Sequence, residues 1–169
     1  RCRWRDLRGV NLRDENGHTG NILHFDELLE HLQSAPGWCN IELKVDFDAE
    51  GHQERLAETV AQALDTADEV PGCAVSSFSK IALVRFAQAC PHVPVAPLID
   101  EAADAPWSFL AAVTHPGWAG EIGATQAILG DRWDAVHPHG RVVGQAQLQA
   151  WADLKLEVRP WVVNGPKHW

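Results

Sequence analysis

The stretch Asn40-Ile41-Glu42-Leu43-Lys44-Val45 is a short, β-prone run that carries two opposite charges. Successive side chains of a strand point to opposite faces, so Glu42 and Lys44 share one face and the three aliphatic residues share the other. A parallel strand covered on both faces would be apolar almost throughout. The aliphatic face is therefore expected to meet helices, which leaves the acid and the base side by side on an interior face, as at a functional site.

Two other interpretations of this charged pair stay open. Glu42 and Lys44 could form an internal salt bridge, or the run could be an edge strand whose charges face water. Burying two charges costs several kcal/mol each unless pairing or metal binding offsets the cost.

Short apolar runs alternate with amphipathic stretches along the rest of the chain. Apolar residues at i, i+3, i+4 and i+7 predict a helix that begins near Phe25 and ends before Pro36. Further helices are predicted over about 56–67, from about 80 to 90 with Ser79 as the N-cap, near 107–113, and over 148–152. Strands are predicted at 40–45, 73–78, 93–99, 134–139 and 156–164.

Helices between strands are typical of a parallel sheet, because each parallel connection needs a crossover of about a dozen residues. The pattern predicts an α/β domain with about five parallel strands, either a doubly wound open sheet or part of a (β/α)₈ barrel. Neither glycine-rich phosphate-binding fingerprint occurs in the sequence, which disfavours a nucleotide-binding open sheet. A complete barrel typically takes about 250 residues, so a barrel here would lack strands.

Length and composition limit the domain organisation and the partners. The 169 residues fit one domain, and a net charge of −9 disfavours nucleic acid as a partner. No apolar stretch is long enough for a membrane span, and the N-terminus has no apolar signal core. The four cysteines lack C-x-x-C spacing, which favours reduced thiols in a cytoplasmic protein. Because the chain contains no Met, we interpret it as a piece of a longer protein.

Three other segments place polar or aromatic residues near strand ends. The segment 76–78 offers two hydroxyl groups and a ring, although a cap for the next helix explains it equally well. Trp161 and Asn164 in the last strand could wall a small-molecule pocket, and core packing is the alternative. His137 and His139 at i and i+2 have no third ligand nearby in the sequence, which favours a pair of loop residues.

Four phrases occur in order at residues 40–44, 75–78, 136–138 and 158–164, with the sequences NIELK, VSSF, VHP and VRPWVVN. They resemble the later motifs of the glycerophosphodiester phosphodiesterase family, namely its IEIK, VSSF, NP and VWTVN strands. The resemblance covers most of the chain, from Phe25 to Gly165. Val162 replaces the threonine of the last motif and His137 replaces the asparagine before proline, so the substrate preference is open.

The resemblance implies a partial TIM barrel of the phosphatidylinositol-phospholipase type. Residues 25–165 would supply strands three to seven with their helices, and residues 1–24 would form a loop that leads in. The implied reaction is hydrolysis of a glycerophosphodiester to glycerol phosphate and an alcohol, assisted by a divalent cation, Mg²⁺ or Ca²⁺. Glu42 would be a metal ligand and Lys44 a catalytic residue near the phosphate. The resemblance places the following residues in the substrate site: Ser77, Phe78, Trp161 and Asn164.

The family's earlier motifs do not occur in this sequence. It contains no His-Arg-Gly or His-Asp pair, and no acidic strand precedes residue 40. These motifs supply both catalytic histidines and two metal carboxylates in the family, so we expect the isolated chain to be nearly inactive. The alternative is a noncatalytic binding or scaffold module of the same fold, in which Glu42 and Lys44 form an internal ion pair.

Overall fold

A computed structural model describes residues 3–34, 37–46, 49–67, 72–99 and 135–163. The helix predicted near 107–113 and the predicted site residue Asn164 lie outside these ranges. None of the described helices is both long and apolar enough to cross a membrane.

Five α-helices, one 3₁₀ turn and seven strands make up the described part of the chain. The helices are α1 Trp4–Leu7, α2 Phe25–Ser34, α3 His52–Thr66, α4 Lys80–Ala89 and α5 Gln145–Asp153, and the 3₁₀ turn is Gly140–Val142. The strands are β1 Asn11–Arg13, β2 Thr19–Asn21, β3 Cys39–Glu42, β4 Cys73–Ser77, β5 Val95–Ile99, β6 Ala135–Pro138 and β7 Glu157–Val158.

Strands β3 to β7 form one parallel sheet in the order of the sequence. This arrangement confirms the predicted α/β class with five parallel strands. The last strand is shorter than predicted, but its pairing continues beyond Val158. The backbone N–H groups of Arg159 and Trp161 donate to the carbonyls of Val136 and Pro138, each at 2.9 Å.

The segment predicted as a lead-in loop, 1–24, is not simply a loop. It contains the one-turn helix α1 and an antiparallel hairpin of β1 and β2. Asp14 stabilises the turn, because its carboxylate accepts hydrogen bonds from the backbone N–H groups of Asn16 and His18, and Gly17 takes a φ of +88°. Every residue of both strands is exposed, so the alternating apolar pattern that reveals a half-buried strand is absent.

The core lies between one face of the sheet and helices α3 and α4. Ile41 and Leu43 contribute from the first strand of the sheet, and Val75 contributes from the second. The buried residues of α3 recur at the helical spacing and pack with those of α4: Ala57, Val60, Ala61, Leu64, Ala82, Leu83, Phe86 and Ala87. Ser79 caps α4 as predicted, with its Oγ accepting from the Ala82 N–H at 3.0 Å.

The sheet is curled rather than flat. Trp38 precedes β3 at one edge of the sheet, and Arg159 follows β7 at the other. Four strand spacings of about 4.8 Å would hold these edges roughly 19 Å apart in a flat sheet. The Arg159 guanidinium carbon nevertheless lies 4.9 Å from the centre of the Trp38 ring. The five strands therefore follow a barrel-like curve and have a concave side.

Candidate active site

The concave face of the sheet is the one opposite α3 and α4. The residues on this face follow from the alternation of side chains along each strand and from the register between strands. Glu42 pairs with Ser76, and Leu98 pairs with His137, so these pairs fix the register. The residues on the concave face include Asn40, Glu42, Lys44, Ser76, Phe78, Ala96, Leu98, His137, His139, Arg159 and Trp161. The aliphatic neighbours Ile41, Leu43 and Val75 point to the helices instead.

Glu42 and Lys44 lie side by side at the end of β3. The Lys44 Nζ is 3.8 Å from a carboxylate oxygen of Glu42. The Lys44 side chain is 82% exposed and that of Glu42 is 32% exposed. The expectation that both charges lie in a closed interior is therefore wrong for the described structure, since β3 is an edge strand and the concave side is open there. A pair this exposed contributes only about 0–1 kcal/mol to stability.

Ser77 does not lie on the concave face, contrary to the expectation from the family resemblance. It follows Ser76 by one residue, so its side chain points to the helices, where it is fully buried. Its hydroxyl donates to the Leu43 carbonyl at 2.8 Å and accepts from the Ser79 N–H at 3.0 Å. Both partners are backbone groups, so Ser77 has a structural role.

Ser76 is the serine that occupies the concave face. It is also buried, and its Oγ accepts a hydrogen bond from the Asn40 side-chain amide at 2.9 Å. This hydrogen bond holds the side chain of Asn40, which lies two residues before Glu42 on the same face of the strand.

An aromatic wall, formed by Phe78, His139 and Trp161, stands at the carboxyl ends of β4, β6 and β7. The Trp161 ring lies 5.8 Å from that of Phe78 and 4.5 Å from that of His139, both edge to face. Its indole Nε1 donates to the His137 carbonyl at 3.0 Å, which sets the orientation of the ring. The structure thus brings together Phe78 and Trp161, both predicted as site residues, and adds His139 to them.

A second contact across the concave face was not predicted from the sequence. The Trp38 ring meets that of His137 at 6.4 Å and lies under the Arg159 guanidinium. Arg159 also donates to the Glu157 carboxylate at 2.6 Å, and this hydrogen bond lowers the pKa of Glu157. The sequence indicates this contact only indirectly: Trp38, Asn40 and Glu42 are alternate residues, so their side chains are expected on the same face.

The residues described fit a divalent cation only in part. A carboxylate oxygen of Glu42 is a ligand that Mg²⁺ and Ca²⁺ accept, but these ions take six or more oxygen ligands. Within the described ranges, Glu42 belongs to no group of three metal-ligating side chains. This part of the chain therefore offers one ligand and not a complete cage.

Solved structures similar to this chain include a glycerophosphodiester phosphodiesterase and a further phosphodiesterase. One is the enzyme from Parabacteroides distasonis, with a TM-score of 0.63 and 17% identity over 99% of this chain and 60% of that one. Another is a phosphodiesterase from Oleispira antarctica in complex with the product sn-glycerol-3-phosphate, with a TM-score of 0.63 and 16% identity over 85% of this chain and 50% of that one.

These likenesses confirm the resemblance at the level of the fold, including the partial TIM barrel. This chain spans 50% to 60% of the length of the two proteins. No protein-family model matches the sequence, and no curated protein matches it either.

Proposed function

We propose that this chain forms strands three to seven of a phosphodiesterase barrel that hydrolyses glycerophosphodiesters to glycerol phosphate and an alcohol. The observation that carries the proposal is the set of groups on the concave side: an acid, an exposed ammonium group and an aromatic wall. Lys44, Phe78 and Trp161 all follow the carboxyl ends of their strands, which is where TIM barrels place their catalytic groups.

Lys44 is proposed to bind the phosphodiester. Its ammonium group is a compact positive charge on a flexible stem, and its exposure leaves it able to turn from Glu42 to a bound anion. A positive charge placed there would stabilise the negative charge that develops on the phosphoryl oxygens in the transition state.

Glu42 is proposed to supply one ligand to Mg²⁺ or Ca²⁺, with the other ligands coming from outside the described residues. When bound, such a cation polarises a phosphoryl oxygen and orients the substrate. Glu42 itself would orient Lys44 through their 3.8 Å contact until the anion binds.

The aromatic wall is proposed to pack against the glycerol side of the substrate. The Oleispira protein supports this substrate class, since it was solved with sn-glycerol-3-phosphate. The Trp161 ring is held by its hydrogen bond to the His137 carbonyl, so it offers a fixed apolar surface. Asn164, three residues on, remains a proposed substrate contact.

Proton transfer is the step for which the sequence offers no family motif. General acid and base groups contribute about 10²–10⁴ in rate. We therefore expect the 169-residue chain alone to hydrolyse substrate very slowly, and we assign the activity to a longer protein that contains it.

The test measures glycerol phosphate release from glycerophosphocholine by that longer protein, with and without a chelator. Lys44→Ala should lower kcat by about 10²–10³-fold, the scale of a lost transition-state charge partner. Glu42→Gln should weaken activation by the added cation. Glu58→Gln is the matched control, because Glu58 is an exposed acid on α3 that pairs with Arg85, on the helix side of the sheet.

Equal rates for wild type and Glu42→Gln would refute Glu42 as a ligand. The second candidate function is a noncatalytic module, which the intact Lys44–Glu42 contact favours. That function predicts binding of glycerophosphocholine without release of glycerol phosphate at any cation concentration.

A further inference from the structure

Another cluster of ligating side chains lies on the helix side of the sheet, where α3 and α4 end. Asp65 is in the last turn of α3, Cys90 is the C-cap of α4, and His92 follows two residues later. The Cys90 Sγ lies 3.6 Å from the His92 Nε2. One ligand atom from each of the three residues lies within 4.8 Å of the others.

These distances agree with those between the ligands of a tetrahedral zinc site. Zn–S bonds of about 2.3 Å and Zn–N bonds of about 2.0–2.1 Å at the tetrahedral angle separate sulfur from nitrogen by about 3.6 Å. The Cys90–His92 pair already has this separation. A carboxylate oxygen of the exposed Asp65 lies within 4.8 Å of both ligand atoms, which makes Asp65 the candidate third ligand.

The ligand types select among metals. Thiolate and imidazole are ligands for Zn²⁺ and related transition metals, whereas Mg²⁺ and Ca²⁺ prefer oxygen throughout. Cys90 is fully buried while Asp65 and His92 are exposed, so an ion could enter from solvent and still bind the thiolate in a dry environment. The cluster is thus chemically distinct from the Glu42 carboxylate.

We propose that Asp65, Cys90 and His92 bind one Zn²⁺ ion, with a water molecule as the fourth ligand. On binding, the ion replaces the thiol proton of Cys90, which is released to solvent, and a Zn–S bond forms. The bound ion would join the C-terminal ends of α3 and α4. Without metal, burial and the nearby Asp65 charge raise the pKa of the Cys90 thiol, so the proton is held in the folded protein.

The experiment titrates the metal-free chain with Zn²⁺ and with Co²⁺ as a spectroscopic probe. We expect one equivalent of metal, a thiolate-to-cobalt charge-transfer band, and a higher Tm in excess Zn²⁺ because the ion binds the folded state. His92→Gln should lower Zn²⁺ affinity by at least about 10-fold, the scale at which even outer partners of a metal site act. Cys90→Ser should abolish the charge-transfer band.

Two control variants isolate the site. His31→Gln removes another exposed histidine, on α2, and should leave affinity and spectrum unchanged. Glu42→Gln should also leave them unchanged, which separates this proposal from the phosphodiesterase site. The exposed position of His92 keeps the test valid if Cys90→Ser fails to fold.

The proposal is overturned if no Zn²⁺ binds, or if His92→Gln binds it as tightly as wild type does. In either case Cys90 and His92 are only a hydrogen-bonded pair. Loss of the band in His31→Gln or Glu42→Gln would overturn it as well, since the thiolate would then bind metal elsewhere.

Discussion

The contact between Phe78 and Trp161 tests the curvature on which the candidate site depends. These rings follow β4 and β7, which are three strands apart. A flat sheet would hold those strands about 14 Å apart, at about 4.8 Å for each spacing. The ring centres are 5.8 Å apart, which agrees with strand ends that converge on the concave side of a curled sheet.

Replacing Trp161 with alanine removes three interactions of known scale. The indole hydrogen bond to the His137 carbonyl is 3.0 Å long and is worth about 1 kcal/mol. Each edge-to-face contact, with Phe78 and with His139, is worth about 0.5–1.5 kcal/mol. The expected loss is about 3 kcal/mol, which lowers Tm by about 6–12 °C for a chain of this size.

A double-mutant cycle isolates the contact between the two rings. Free energies of unfolding are measured by urea titration and far-ultraviolet circular dichroism for wild type, Trp161→Ala, Phe78→Ala and the double variant. The cycle should give a coupling of about 0.5–1.5 kcal/mol. The matched cycle pairs Phe78→Ala with Trp151→Phe, because Trp151 is buried on α5 on the other side of the sheet, and that pair should be additive.

A coupling between Phe78 and Trp161 within about 0.3 kcal/mol of zero would mean that the two residues act independently. The strand ends would then lie too far apart for the rings to meet. The aromatic wall, and with it the proposed glycerol-side surface, would have to be abandoned.

Three further predictions concern the framework around the site. Ser79→Ala should cost about 1 kcal/mol in urea unfolding because α4 loses its N-cap, and Ser79→Asp should retain most of the stability. Gly72→Ala should cost about 1–3 kcal/mol by the same measurement, since Gly72 has a φ of +67° and a Cβ there would lie 2.7 Å from the Gly37 carbonyl oxygen. Gly20→Ala, in open space, is its control and should be nearly neutral. Burial raises the pKa of the Cys73 thiol from 9.0 to about 12, so the folded state keeps a proton that the unfolded chain loses. Its share of stability is present below pH 9.0 and is lost as the pH rises towards 12, and the fall of Tm with pH should be smaller in Cys73→Ala.

The order and type of the sheet strands could be predicted because each has a strong local pattern. β5 is apolar throughout, and β4 begins with three apolar residues and carries no charge; both strands are buried along their whole length, as expected for parallel strands covered on both sides. The boundaries of β7 could not be predicted, since the regular strand covers only Glu157–Val158, while pairing continues past Pro160 as an isolated bridge between His139 and Trp161. The exposed hairpin of β1 and β2 has no apolar face, so a pattern based on burial cannot reveal it.

A motif on a strand does not by itself tell which of its side chains face the site. The resemblance assigns the consecutive residues Ser77 and Phe78 to the substrate cavity together, but a strand divides neighbouring residues between its two faces. Ser76 therefore lies on the concave side, while Ser77 binds the backbone of β3 and the start of α4. This distinction follows from the sequence alone, because the apolar Val75 is expected to face the helices and the residue two positions later shares its face.

The alternation of side chains along β3 correctly predicts that its two charged residues share the concave face. It does not predict how far these side chains are exposed to solvent. Which face of a strand meets the helices is a local property, set by the aliphatic residues at 41 and 43. Whether the other face is buried depends on which strands lie opposite, and here Glu42 and Lys44 stand at the edge of the described sheet. Trp38 spans that opening to reach Arg159, so a large side chain on the edge strand bridges the two ends of the curved sheet. An alternating charge in a parallel strand therefore predicts the orientation of a site, and the curvature of the sheet determines how dry that site becomes.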